Sequence, residues 1–346
     1  MKARIKTLFD KIFFTPAPLL PGTHQATIEI DGKPYRLHLR IEHEGKGILI
    51  LNAATVLHLN PTATEIAYHL IQKTPLSDIA ACLEKRYQVT ADAAAEDIET
   101  FKGRLDTIIE TPDLDPETFL DMERDIRHEP DKTSPLRLDC AVTYQVPSGS
   151  ADLYAPVNRV TRLLDTEEWK IILQKAWDWN IPHIVFTGGE PTMRPDLVEL
   201  IQYAEDLGQV TGLITDGLRL AEQDYRSAIL NAGLDHLMIL LDENEDQSWE
   251  SIRDMVQEDI HLTVHITITH RNTERIGDIV LRLQELGVTH VSLSTPSEAL
   301  KEELVHSSRL LAEAGIRLVE EMPVPYNQLN PLNLELETSE SAISGS

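Results

Sequence analysis

The chain has 346 residues, enough for two domains, and its 42% hydrophobic and 25% charged residues are those of a soluble globular protein. The 57 acidic residues against 31 basic ones leave a formal charge of −26, which repels phosphate backbones and sets nucleic-acid binding aside. Two cysteines, Cys82 and Cys140, exclude a disulfide framework and any multi-cysteine metal site built within the chain.

At the N-terminus, residues 1–23 begin MKARIKTLFDKIFF. Ile5, Leu8, Phe9, Ile12 and Phe13 fall on one helical stripe with lysines elsewhere, so an amphipathic helix is expected. Asp10 and Lys11 interrupt what would be the apolar core of a signal peptide, and no small-residue cleavage site follows. The helix is read as packing on the body of the protein, with contact to a membrane surface as the alternative. No apolar run reaches the about 18 residues that a membrane span needs. The cytoplasm is the expected compartment.

Residues 24–110 read as a small α+β domain. HQATIEIDG and KPYRLHLRIEHEG alternate in polarity around an Asp-Gly signal, which predicts a hairpin, and GILILNAATVLHLN adds one or two strands. Three helices follow: PTATEIAYHLIQK, with Asn60 as N-cap and Pro61 at N1, then LSDIAACLEKRY, then TADAAAEDIETFKGRLDTIIE. Ala94, Ile98, Phe101, Leu105 and Ile108 make one face of the third. Strands followed by three helices describe a winged-helix-like arrangement, but Asp92, Glu96, Asp97, Glu99 and Asp106 on its last helix argue against DNA.

Residues 111–135 form a polar, proline-containing linker, and strand–helix alternation starts at 136. Strands are expected near 136–143, 183–187, 210–215, 236–241, 262–269 and 290–294, each followed by an amphipathic helix. Six β/α units in 136–332 are too few for a closed eight-unit barrel of about 250 residues, so a partial (β/α)6 TIM-like barrel is predicted, its ligand site at the C-terminal ends of the strands. Glu320, Glu321 and the MPVPYNQLNP stretch are read as structural cover, and the small-residue acidic tail 333–346 as disordered.

Gly188-Gly189-Glu190-Pro191 follows the second of these strands directly, at the barrel mouth. Glycines there let main-chain carbonyls approach a ligand, although a tight structural turn explains the same residues. His261 and His265 lie on one face of a strand with no carboxylate at matching spacing, so no metal site is predicted there. Cys140 alternates with Leu136, Leu138 and Val142, the pattern of a buried core thiol.

Two resemblances refine this reading. LILNAATVLHLN, the helix to Gln72, and LSDIAACLEKRYQVTADAAAEDIETFKGRL resemble the PqqD-like peptide-recognition domain of ribosomal-peptide modification pathways (a RiPP recognition element). That implies a peptide or partner protein bound by strand addition to an exposed sheet edge beside the last helix. LRLDCAVTY, FTGGEPTMRPDL, LITDG, LDHLMILLD and ITITHRN resemble the radical S-adenosylmethionine (SAM) family from Pro135 onward. This second resemblance implies a partial barrel, a [4Fe–4S] cluster, and SAM near Gly188, Gly189, Glu190, Pro191, Thr192, Asp216 and Asp242.

The chain departs from that family at the cluster loop, Cys-x3-Cys-x2-Cys, whose three thiolates hold three irons. Laid on VTYQVPSGSADLY, the ligand positions fall on Val146, Ser150 and Leu153. Two of these side chains have no lone pair, so no [4Fe–4S] cluster is expected and the catalytic residues are unassigned. Asp216 stands where the family usually has Asn, and Leu240 where a Ser contacts SAM, which leaves SAM an optional ligand. Three functions follow: a degenerate, cluster-free scaffold or regulator that presents a peptide, an enzyme that uses SAM without a cluster, or one whose cluster a partner supplies.

Overall fold

A computed structural model describes residues 19–30, 33–42, 45–51, 55–110, 135–147 and 161–319. The predicted N-terminal helix, most of the linker, Ser150, Leu153, Glu320, Glu321 and the tail lie outside the described residues. The chain divides into two compact units at residues 134 and 135.

In the first unit, β1 (Gly22–Ile30), β2 (Lys33–Ile41), β3 (Gly47–Leu51) and β4 (Thr55–Leu59) form an antiparallel sheet in sequential order. The hairpin register pairs Ile30 with Lys33. α1 (Pro61–Ile71), α2 (Leu76–Tyr87) and α3 (Ala91–Glu110) follow. Asn60 caps α1, its side chain accepting from the Ala63 N–H at 2.9 Å, with Pro61 supplying the first helical residue. Strand alternation puts Leu37, Leu39, Leu49, Leu51, Leu57 and Leu59 on one face, where they pack with Ala67, Leu105 and Ile108 of the helices. Each such side chain, fully buried, contributes about 1.5–3 kcal/mol of transfer free energy.

The second unit alternates strand and helix: β5 (Arg137–Thr143), α4 (Thr166–Asp178), β6 (His183–Gly188), α5 (Leu197–Leu207), β7 (Val210–Thr215), α6 (Gln223–Asn231) and β8 (His236–Leu240). Then come α7 (Asp246–Met255), β9 (His261–Thr267), α8 (Ile276–Leu286), β10 (His290–Ser294), α9 (Lys301–Glu313) and β11 (Arg317–Leu318). All seven strands are parallel and lie in sequential order, so every crossover joins neighbours and the sheet ends at β5 and β11. Six strands were expected and seven are present among the described residues. β11, two residues paired to the start of β10, is too short to carry a hydrophobic period.

One sheet face, with Cys140, Val142, Ile184, Phe186, Leu237 and Ile239, packs on the helices. The other carries a smaller cluster of Val185, Ile214, Met238 and Leu240, with polar residues around it. The parallel order sends the C-terminal ends of all the strands to one rim, where the loops of the candidate site meet. No helix among the described residues is long and apolar enough to cross a membrane.

Candidate functional site

The rim turn is built around one carboxylate. Glu190 follows β6, is 3% exposed, and accepts from four donors. Its Oε1 takes the Thr192 N–H at 2.9 Å, the Thr192 hydroxyl at 2.5 Å and the Thr215 hydroxyl at 2.7 Å; its Oε2 takes the Asp216 N–H at 2.8 Å. A carboxylate so surrounded ties the loop after β6 to the loop after β7. Thr215 completes the link by accepting the Gly217 N–H at 3.1 Å. Arg219 donates to the Thr192 carbonyl and lies over the Tyr225 ring, 3.8 Å from its centroid.

The two glycines have a different partner from the ligand anticipated in the sequence. A register shift between Ala141 and Thr143 brings the end of β5 against Gly188. The Gly189 N–H donates to the Thr143 carbonyl at 2.8 Å, and the Glu190 N–H donates to the Gln145 carbonyl at 2.6 Å. A Cβ on Gly188 would sit 2.2 Å from the Thr143 carbonyl oxygen, and one on Gly189 2.1 Å from that of Gln145. The double glycine therefore admits the chain's own backbone.

Asp216 sits beside this network. Its Oδ1 accepts the Leu218 N–H at 3.0 Å, but Oδ2 is buried without a hydrogen-bond donor. Burial first, then the Glu190 carboxylate, pushes the Asp216 carboxyl well above the usual range, and Asp242 adds to the effect. Protonated, Asp216 becomes a donor towards Glu190, which an ionised carboxylate is not. Asp242 accepts from the Asn244 N–H at 3.0 Å. Leu240 points to the sheet face of Val185, Ile214 and Met238 and closes that part of the rim with apolar surface. Gly188, Gly189, Glu190, Pro191, Thr192 and Asp216 are thus in one hydrogen-bonded turn, with Asp242 next to it electrostatically.

A second feature lies in the first unit. β4 is the last strand of its sheet, and a groove of about 340 Å³ runs beside it along α1 and α3. Leu57, Leu59, Ile66, Phe101, Leu105 and Ile108 line its floor, with His58, Asp97, Thr100 and Arg104 on the rim.

Residues 140–260 match the family model of the Radical SAM superfamily, and residues 47–107 match that of coenzyme PQQ synthesis protein D, PqqD. The chain joins a radical SAM domain to a PqqD domain. Proteins named PqqA peptide cyclase share 30% identity over 199 residues in Rhizobium meliloti, covering 49% of this chain and 53% of the relative. In Bradyrhizobium diazoefficiens the figures are 27% over 220 residues, 56% of this chain and 58% of the relative. The chain spans about half the length of the curated relatives it matches. Streptococcus suis SuiB bound to S-adenosylmethionine shares the fold, with a TM-score of 0.53 at 15% identity over 84% of this chain and 75% of that one. SuiB in a second crystal structure gives 0.51 at 15% identity, over 82% of this chain and 69% of that one.

Val146, which the sequence comparison lays on the first position of the family's cluster loop, has an aliphatic side chain, and the chain has two cysteines. Cys140 points to the helix-packed face of β5 among Val142, Trp169 and Leu173, and burial, with the Asp139 carboxylate, pushes its thiol up to about 12. Cys82 is buried on α2 of the PqqD domain. Among the described residues no group of three or more His, Cys, Asp or Glu is placed to hold a metal ion.

Of the histidines read in the sequence, His265 is fully enclosed, with Nδ1 2.7 Å from the Ser292 hydroxyl and Nε2 2.9 Å from that of Ser294. Burial pushes it down to about 3, so it is a neutral, satisfied core imidazole. The sequence reading gave Thr215 and Arg219 no role; Thr215 directly precedes Asp216, and only the fold brings position 215 to position 190.

Proposed function

We propose that this chain is a peptide-binding member of a ribosomal-peptide modification system, whose radical SAM barrel works without a cluster of its own. The observation that carries the reading is the groove beside β4: an edge strand, an apolar floor and a polar rim suit an extended peptide that adds as a fifth strand. Main-chain pairing would supply affinity, and the alternate side chains that face Leu57, Phe101 and Leu105 would supply selectivity. The relatives' name, PqqA peptide cyclase, supports peptide modification as the setting. The barrel serves here as the body that presents the bound peptide to a cluster-bearing enzyme.

The test is calorimetry of the full chain with synthetic peptides covering the short reading frames beside its gene. One of them should bind with micromolar Kd, about −8 kcal/mol. Heat that is absent for all of them, or that survives occlusion of the groove, overturns the reading.

A second reading concerns the rim turn. The donorless Asp216 Oδ2, with Glu190 and Asp242 nearby, suits a cationic ligand, and SAM carries a sulfonium and an ammonium. Anaerobic titration of SAM, with iron assayed on the same sample, separates the cases. Binding by colourless, iron-free protein supports SAM use without a cluster. A brown, iron-bearing sample overturns both readings.

A further inference from the structure

Two residues that line the groove beside β4 carry a full charge, Asp97 and Arg104. Both stand on α3, seven residues apart, which at a helical rise of about 1.5 Å separates them by about 10 Å along its axis. Seven residues make close to two turns, so both share the face that carries Thr100, Phe101 and Ile108. The groove follows that face from Asp97 to Ile108, about three turns.

Neither charge is used within the molecule. On a helix, opposite charges pair at spacings of three or four residues, and those positions around Asp97 and Arg104 hold only Ala, Thr, Phe and Ile. Both side chains are exposed, and among the described residues neither has a hydrogen-bond or ion-pair partner. In a chain with 57 acidic residues against 31 basic ones, an arginine readily finds a carboxylate. Arg86 does so with Glu65, Arg194 with Asp196 and Arg226 with Asp254. Arg104, on the rim of the groove, does not.

An extended peptide added to β4 turns alternate side chains towards α3. At about 3.3 Å per residue, its side chains i and i+4 stand about 13 Å apart and bracket the span from Asp97 to Arg104, a difference of about 3 Å that flexible charged side chains absorb. Side chain i+2 then falls between them, over the half-buried ring of Phe101.

We infer that the peptide recognised in this groove carries an acidic and a basic residue four positions apart with an apolar residue midway, the acidic one set against Arg104 and the basic one against Asp97. The two rim charges also fix which way the strand runs, because a peptide laid in reverse would set like charge against like. The inference rests on the peptide reading of the groove and adds the chemistry of the ligand.

The test is calorimetry of the full chain with the synthetic peptides of the neighbouring reading frames. The peptide that binds should contain the pattern. Arg104→Glu should weaken its binding by at least about threefold, and the same peptide with its acidic residue replaced by lysine should bind that variant at least about threefold better than the unaltered peptide does. Asp97→Lys should act in the same way towards the basic residue, and it carries the test should Arg104→Glu lower the melting temperature. A peptide whose binding Thr100→Trp blocks but which lacks the pattern overturns this inference and leaves the groove a peptide site. So does an affinity that neither reversal changes, or one that falls without rescue by the reversed peptide. No binding by any of the peptides overturns the peptide reading and this inference with it.

Discussion

The groove beside β4 and the turn at Glu190 are both concave places where a ligand was expected, yet they differ in what remains to be bonded. At Glu190 four donors already occupy one carboxylate, and the double glycine is pressed against the Thr143–Gln145 backbone. A newcomer there must displace bonds that hold the rim together, except at Asp216 Oδ2. Beside β4 the sheet ends, and a peptide would add main-chain bonds while breaking none within the sheet. The bonds that hold the loops together at this turn are made within the chain itself.

If that contrast holds, substitutions at the turn will cost stability and substitutions at the groove will cost binding. The largest effect is expected for Glu190→Ala, which leaves the Thr192, Thr215 and Asp216 donors without their acceptor. A loss of about 3 kcal/mol is expected in urea unfolding; a loss below about 0.5 kcal/mol would break the comparison. Thr100→Trp should fill the groove from its exposed rim and reduce peptide affinity by at least about tenfold, about 1.4 kcal/mol, with the melting temperature unchanged. A fallen melting temperature would show that the groove is structural too.

The smallest effect is expected for Asp216→Asn. The folded state raises this carboxyl from 3.8 to about 8, so the fold favours its protonated form. Its contribution is full below the unfolded value and is lost as pH rises through that window. Asparagine removes the dependence, and the variant should be more stable than the parent by about 1 kcal/mol on the alkaline side, with the two converging in acid. Melting curves across this range, parallel for parent and variant, would show that Asp216 is ionised throughout.

Much of the fold was legible because both faces of the parallel strands are buried. Runs such as HLMIL at 236–240 read as uninterrupted apolar segments bounded by turns. The PqqD helices were legible from their caps and from Ala94, Ile98 and Leu105 at helical spacing. The Glu190 network was not, because its donors come from positions 192, 215 and 216 and only strand order brings them together. His265 was readable as to face, but its serine partners lie on β10, 27 and 29 residues further on.

The register shift at the end of β5 bears on whether a three-cysteine loop could be built into this chain. Gln145 is pinned through its carbonyl to Glu190, one residue before Val146. Val146→Cys, Ser150→Cys and Leu153→Cys would place three thiols at the family's spacing in the stretch that follows Gln145. The rim would still present the Leu240 side chain and the Asp216 carboxyl. Retrofitting the barrel would therefore call for at least five changes, Leu240→Ser and Asp216→Asn included. A three-cysteine variant that bound iron yet failed to cleave SAM would place the remaining obstacle at that rim.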